Sequence, residues 1–297
     1  MIYIKINVYD DKNKELNMFS KTALKIYCMK KTGIIKSNAN FWKDYNCKEK
    51  IDAFDIDTSN DKTFLENANY SLICAFDKDF IQVPESIKNS EKPFLFIYKG
   101  NIKLTTQLQN NVAVIGVLNP TEDIIQREKE IIIELCKNDI TIVSGLALGC
   151  DSVAHKTCLQ CDGNTIAILP TTLENIFPKE NKELVENLIN NNGLVLTEYI
   201  NEPKSKFERI KRFIERDRLQ AMLSNAVVLI ASFIQGKGDS GSRHAMQKAK
   251  EYSKKRFVMF NAETDKGKDI FELNEKLNIE NVSIFSKKTI KDMISKK

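Results

Sequence analysis

The sequence predicts an α/β fold: a doubly wound, mostly parallel Rossmann-like sheet with helices on both faces, plus a small N-terminal region. Three observations predict it. Short apolar runs recur along the middle of the chain, a stretch of helical spacing follows each, and glycine-rich turns join several runs to the helices behind them. Apolar runs of about five residues, without polar alternation, are what strands buried on both faces require. Right-handed crossovers then favour a doubly wound sheet.

The first part of the chain stands outside that series. It opens on a strand-like start, IYIKINVY, passes through a helical stretch near Lys21 to Lys31 and becomes polar. From Ser71 the chain is apolar again (SLICAF), and Pro84 to Pro93 reads as a connector. NVAVIG (111–116) opens the series, and TEDIIQREKEIIIELCKN behind it is spaced as a helix. TIVSG (141–145) precedes the helical DSVAHKTCLQC, and TIAIL (165–169) precedes KENKELVENLINNN, which Gly193 stops. LVLTEY (194–199) leads into a basic helical stretch from Phe207 to Ser224. AVVLIASF (226–233) is the most apolar strand, GSRHAMQKAKEYSKK is helical, and RFVMF (256–260) closes the series. These readings divide the chain into an N-terminal region (1–66), a core (67–262) and a short tail (263–297) with LNIENVSIF and KKTIKDMI as small elements.

Composition narrows the function classes. With 297 residues, 42% hydrophobic and 29% charged, the chain has the balance of a globular protein with a sizeable core. No apolar run approaches the ~20 residues of a membrane helix, and the N-terminus lacks an apolar signal region. A cytoplasmic protein without membrane contact is the expectation. Seven scattered cysteines, an odd number, argue against a disulfide framework. Cys158 and Cys161 form a C-x-x-C with no second ligand pair, so packing is the reading rather than metal or redox chemistry. The net charge of +5 is unevenly spread: Lys204 to Arg256 holds 14 Lys and Arg against 5 Asp and Glu, the footprint of a polyanion binder.

Ligands of such folds bind outside the carboxyl ends of the strands, at the point where the strand order reverses. The turns to inspect follow Ile115, Val143, Leu169, Glu198 and Phe233. The first, beginning at Gly116, lacks G-x-G-x-x-G, and Ser144-Gly145 ends the second strand without an acid for a ribose hydroxyl, so no dinucleotide cofactor is expected. The second turn runs from Ser144 and Gly145 to Gly149 and Asp151; its glycines allow a phosphate onto main-chain N–H groups, and Asp151 is placed to cap the next helix. His155 reads as a packing histidine. The last turn, Gly236-Lys237-Gly238-Asp239-Ser240-Gly241-Ser242-Arg243, gathers glycines, hydroxyls and cations before a helix and suits a phosphate, although it is no Walker A loop. Between them, Arg209, Arg212 and Arg216 share one helix face that can track a sugar–phosphate backbone, and Phe213 either stacks on a base or packs in the core.

These blocks resemble the DNA-processing protein A (DprA/Smf) family. Ser144-Gly-Leu-Ala-Leu-Gly149-Cys-Asp151…Ala154-His155 is similar to that family's S-G-x-A-x-G-x-D-x-x-A-H, and Gly163-Asn-Thr-Ile-Ala-Ile-Leu to its G-T-I-A-V-L strand. Phe177-Pro178…Asn181 resembles Y-P-x-x-N, Thr197-Glu198-Tyr199 resembles S-E-Y, Arg216-Asp217-Arg218 stands where the family has R-N-R, and Ser240-Gly241-Ser242 matches S-G-S. The lead-in Asp77…Val83-Pro84…Lys99-Gly100 resembles D-x-x-Y-P…Y-x-G, and the ordered set runs from about residue 72 to 261. The resemblance implies a Rossmann-like core that binds single-stranded DNA, forms homodimers and hands the strand to a RecA-type recombinase in transformation or recombination. By position it implies Lys179 and Lys237 as backbone-contacting cations, with Arg212, Arg216, Arg218 and Arg243 beside them. Gly116, Ser144, Gly145, Gly149, Ser240, Gly241 and Ser242 would shape the pocket.

The chain departs from the family pattern in three places. Val117-Leu118 replaces the usual S-R of the first turn, Asp217 replaces an asparagine, and the tail is short for a winged-helix appendage. Two other readings use the same fold: a nucleotide-binding sensor of a defence or mobile-element system, and a nucleotide phosphoribohydrolase. The second wants a glutamate in a P-G-G-x-G-T-x-x-E loop, which Asp239 to Gln247 lacks, and Glu198 is the one well-placed carboxylate. A binding protein without catalytic residues, metal or cofactor is the expectation.

Overall fold

The structure is a computed structural model that describes residues 18–294. The strand-like IYIKINVY lies outside the described residues. Four helices come first, α1 (Lys21–Lys31), α2 (Asn38–Asp44), α3 (Lys48–Asp52) and α4 (Ser59–Ala68). Strands β1 (Ser71–Cys74) and β2 (Leu95–Gly100) follow, joined by the connector around Pro84 to Pro93. The expected alternation then unfolds: β3 (Asn111–Ile115), α5 (Glu122–Cys136), β4 (Thr141–Ser144), α6 (Cys150–Gln160), β5 (Thr165–Leu169), α7 (Lys182–Asn190), β6 (Leu194–Thr197), α8 (Lys206–Met222), β7 (Ala226–Leu229), α9 (Arg243–Glu251) and β8 (Lys255–Val258). The chain closes with α10 (Glu272–Ile279), β9 (Ser283–Ile284) and α11 (Ile290–Ile294).

The nine strands among the described residues join one sheet in the order β1-β2-β6-β5-β4-β3-β7-β8-β9. From β6 to β9 every pairing is parallel, while β1 and β2 extend the β6 edge antiparallel. The predicted doubly wound, mostly parallel sheet is therefore the fold. β3 pairs with β4 on one side and β7 on the other, so the strand order reverses beside β3. A crevice opens there because the connections leave β3 and β7 in opposite directions.

Both faces of the sheet are buried, which is why its strands read as unbroken apolar runs. Leu72, Ile97, Ala167, Leu169 and Val195 face a core shared with α1, where Ala23, Ile26 and Met29 are fully buried. Their strand neighbours Ile73, Phe96, Ile166, Ile168, Leu194 and Leu196 belong to the other core, which takes in α5, α8 and α9. The polar N-terminal region folds around few anchors: α3 buries Ile51, α4 buries Leu65, and Phe41 of α2 stacks on Phe94 at 4.3 Å. At the other edge Asn274 of α10 is fully buried. Its side-chain amide donates to the Leu229, Ile230 and Met259 carbonyls, and its oxygen accepts from the Ser232 amide. That amide fixes α10 across the ends of β7 and β8.

Candidate functional site

A cavity of about 410 Å³ lies at the carboxyl ends of the strands, beside the reversal at β3. Each turn supplies one wall: Gly116 and Leu118 after β3, Ala147, Leu148 and Asp151 after β4, Phe177 and Pro178 after β5, and Asp239, Gly241 and Ser242 after β7. Helix α8 closes it with Phe213, Arg216, Asp217 and Gln220, whose spacing puts them on one face. The helix starts cleanly because the Ser205 hydroxyl accepts from the Glu208 amide at 3.1 Å.

Arg216 forms the floor. It is 4% exposed, and its guanidinium lies directly against the Cα of Gly145: a Cβ there would fall 1.1 Å from Nη1. Only glycine permits that approach. The nearest carboxylates are Asp151 Oδ2, 3.8 Å from Nη1, and Asp217 Oδ1, 3.6 Å from Nε, both too long for hydrogen bonds. Nε and Nη1 have no hydrogen-bond partner, and neither has the Oε1 of buried Gln220 on the same floor. A buried guanidinium with free N–H groups is costly unless an acceptor completes it, and its planar fork matches phosphate.

The glycine amides expected to receive a phosphate are occupied from within. Asp151 Oδ2 accepts from the Gly145 and Ala147 amides, both at 3.2 Å, so this side chain braces its own turn while Gly149, at φ +73°, takes the N-cap position of α6. Asp239 accepts from the Leu118 amide at 2.7 Å and the Gly241 amide at 3.3 Å, tying the last turn to the first. The Ser242 hydroxyl donates to the Gly116 carbonyl at 2.9 Å. Arg216 is thus left as the floor's open donor.

Two carboxyl groups, Asp151 and Asp217, flank that guanidinium. Burial raises Asp151 above the usual carboxylate range. Asp217 is pushed up to about 7, first by burial and then by Asp151 and Asp239, with Arg216 opposing. His155 is fully buried, its Nδ1 2.7 Å from the Thr165 hydroxyl, and burial with Arg216 nearby lowers it to about 3, so it stays neutral at working pH. The mouth is apolar. Leu118, Leu148 and Phe177 are each more than 40% exposed, and Phe177 meets Phe213 edge-on at 5.9 Å. Arg209 sits 5.9 Å above the Phe177 ring, at the rim.

The other residues singled out from sequence are dispersed. Arg212 is buried and bonds to Asn201 and Glu208. Arg218 is buried and pairs with Glu198 at 2.8 Å, so neither that arginine nor that glutamate lines the cavity. Arg243 turns back to Ser240, at 2.9 Å from its hydroxyl, and buried Ser144 donates to the Val114 carbonyl at 2.7 Å. Lys237 is exposed and holds Glu272 at 2.7 Å, while Lys179 is exposed beside Pro178. Of the thirteen residues, the structure brings Gly116, Arg216, Gly241 and Ser242 to the cavity wall with Gly145 and Gly149 directly behind. Sequence reasoning missed Asp217 and Asp239 as cavity groups and the apolar rim. Asp217 had a usable signal, since it lies four residues after Phe213 on the same face.

The family model for DNA recombination-mediator protein A matches residues 71–276. Protein Smf of Borreliella burgdorferi is 32% identical over 141 residues, 47% of this chain and 43% of that protein. The chain's matches span about half or less of the length of its curated relatives. Among solved structures, DNA processing protein A of Streptococcus pneumoniae superposes with a TM-score of 0.68 over 93% of this chain and 94% of its own, at 23% identity, a likeness of fold. DNA processing protein A of Helicobacter pylori, whose structure addresses its single-stranded DNA binding mode, gives a TM-score of 0.61 at 28% identity, covering 76% of this chain and 95% of its own.

The seat of Arg216 is testable by stability alone. Gly145→Ala places a methyl group where Nη1 lies and is expected to lower the unfolding free energy by about 1–3 kcal/mol in urea titrations. In an Arg216→Ala background the same change is expected to cost much less, because the two positions are coupled. An equal penalty in both backgrounds would contradict the contact.

Proposed function

Because the chain belongs to the DNA recombination-mediator protein A family, we propose that it binds single-stranded DNA at this cavity. The observation that carries the reading is the buried Arg216 guanidinium, whose Nε and Nη1 have no hydrogen-bond partner, at the floor of an apolar cavity of nucleotide size. A backbone phosphate completes the guanidinium, and the base lies against Phe213 and Phe177, as aromatic platforms hold bases without sequence preference. Arg209 and Lys179 meet neighbouring phosphates outside, and Lys237 joins them by exchanging Glu272 for the strand. Arg212, Arg218 and Arg243 act indirectly, holding α8 and the last turn in place around the strand. The relative from Helicobacter pylori, studied for its single-stranded DNA binding mode, supports the assignment.

In this role the cavity holds the strand without performing chemistry, and the chain acts as a homodimer that passes the strand to a RecA-type recombinase in transformation or recombination. Light scattering that gives only the monomer mass would count against the dimer. A pull-down that retains no recombinase would count against the partner. A mononucleotide sensor is the second reading, favoured by the single open guanidinium. It requires a nucleoside monophosphate to compete fully with an oligonucleotide, and release of free base would point to a hydrolase instead.

Fluorescence anisotropy with a labelled single-stranded oligonucleotide tests the reading. Micromolar or tighter binding is expected, weakening steeply between low and physiological salt. Arg216→Ala is expected to weaken it about 10- to 100-fold, the worth of a charged hydrogen bond of about 1.5–3 kcal/mol. Lys179→Glu with Lys237→Glu should also weaken it. Wild-type affinity in Arg216→Ala would remove the assignment.

Asp217 gives the binding a pH dependence. Its raised pKa of about 7 leaves it neutral in acid and negative above neutrality, where its carboxylate, 3.6 Å from Arg216, competes with a phosphate. Affinity should fall as pH rises from 6 to 8. Asp217→Asn, which restores the family's residue, should bind more tightly at pH 8 and lose that slope. A wild-type profile as flat as the variant's would refute the competition.

A further inference from the structure

Away from the cavity, the ends of α5 and α6 bring three cysteines together. Cys136 is the last residue of α5, Cys158 lies in the last turn of α6, and Cys161 follows that helix. The sulfurs of Cys136 and Cys158 are 3.7 Å apart. A disulfide needs about 2.05 Å, so a modest side-chain shift closes the gap. The backbone turns over the pair at Gly163, where a Cβ would lie 2.8 Å from Cys158 Sγ and 2.9 Å from Cys136 Sγ. The Gly163 amide donates to the Cys158 carbonyl at 2.9 Å and holds the turn in place. Cys158 is fully buried, whereas Cys136 is half-buried and within reach of small solutes. The neighbouring Cys158 thiol holds Cys136 below the ordinary thiol range.

From this juxtaposition we propose that Cys136 and Cys158 form an oxidisable pair that a hydroperoxide converts to a disulfide. The Cys136 thiolate attacks the peroxide, its O–O bond breaks, the distal oxygen leaves as water after taking a proton, and Cys136 becomes a sulfenic acid. The Cys158 sulfur then attacks the Cys136 sulfur. Hydroxide departs with the Cys158 proton as a second water, and the S–S bond forms. Two thiols lose two electrons and two protons, and one hydrogen peroxide becomes two waters. The resulting link closes a loop that contains β4 and the turn from Ser144 to Asp151, so it fastens α6 at the end opposite the cavity. Thiol–disulfide exchange with a small dithiol reverses it.

The test uses the full chain, hydrogen peroxide and mass spectrometry. Expected results are a loss of two of the seven thiols in denaturant, a peptide joining Cys136 to Cys158, and recovery with dithiothreitol. Cys136→Ala should retain all of its own thiols under the same treatment, Cys158→Ala should form no cross-link and lose at most the Cys136 thiol, as sulfenic acid, and Cys161→Ala should still lose two; circular dichroism checks that all three fold. A peptide joining Cys136 to Cys161, sulfinic acid at Cys136 without a link, or an unchanged thiol count in the wild type would each overturn the proposal.

Discussion

One close contact organises the candidate site: the guanidinium of Arg216 against the bare Cα of Gly145. Any side chain at 145 would evict the guanidinium, so the glycine in the turn after β4 exists for the arginine on α8 as much as for its own backbone. The two elements are about seventy residues apart in sequence, yet the order of the sheet puts the end of β4 under the middle of α8. The reversal of strand order at β3 opens the space, and the contact furnishes it with a charge.

The surrounding carboxylates shape how that charge is available. Asp151 and Asp239 consume the loop amides that would otherwise form an anion nest, stiffening the turns and leaving the guanidinium as the open donor. Asp217 stands beside the same group without a hydrogen bond to it, at a distance where its ionisation matters. The first turn carries exposed Leu118, which adds to the apolar mouth. The result is a cavity with a buried guanidinium at its floor and an apolar rim.

The sheet was legible in the sequence because burial on both faces writes the same signal into every strand: NVAVI, TIVS, TIAIL, LVLT and AVVL are unbroken apolar runs. The helices behind them carried clear periodicity. The N-terminal helices were harder, since α3 and α4 each bury one residue and so carry almost no pattern. The cavity was half legible. Glycine turns and Arg216 announced themselves by type and spacing, but an arginine reads the same whether it faces a ligand or an internal acceptor. Arg212 is committed to Asn201 and Glu208, and Arg218 to Glu198, by loop carbonyls and carboxylates whose approach depends on tertiary packing. The roles of Asp151 and Asp239 were hidden for the same reason.

The most direct measurement is a crystal structure of the chain with a short single-stranded oligonucleotide. The account expects a backbone phosphate oxygen within hydrogen-bond distance of the Arg216 guanidinium and a base against Phe213. A strand bound on another surface, with Arg216 Nε and Nη1 still lacking a hydrogen-bond partner beneath an empty cavity, would contradict it.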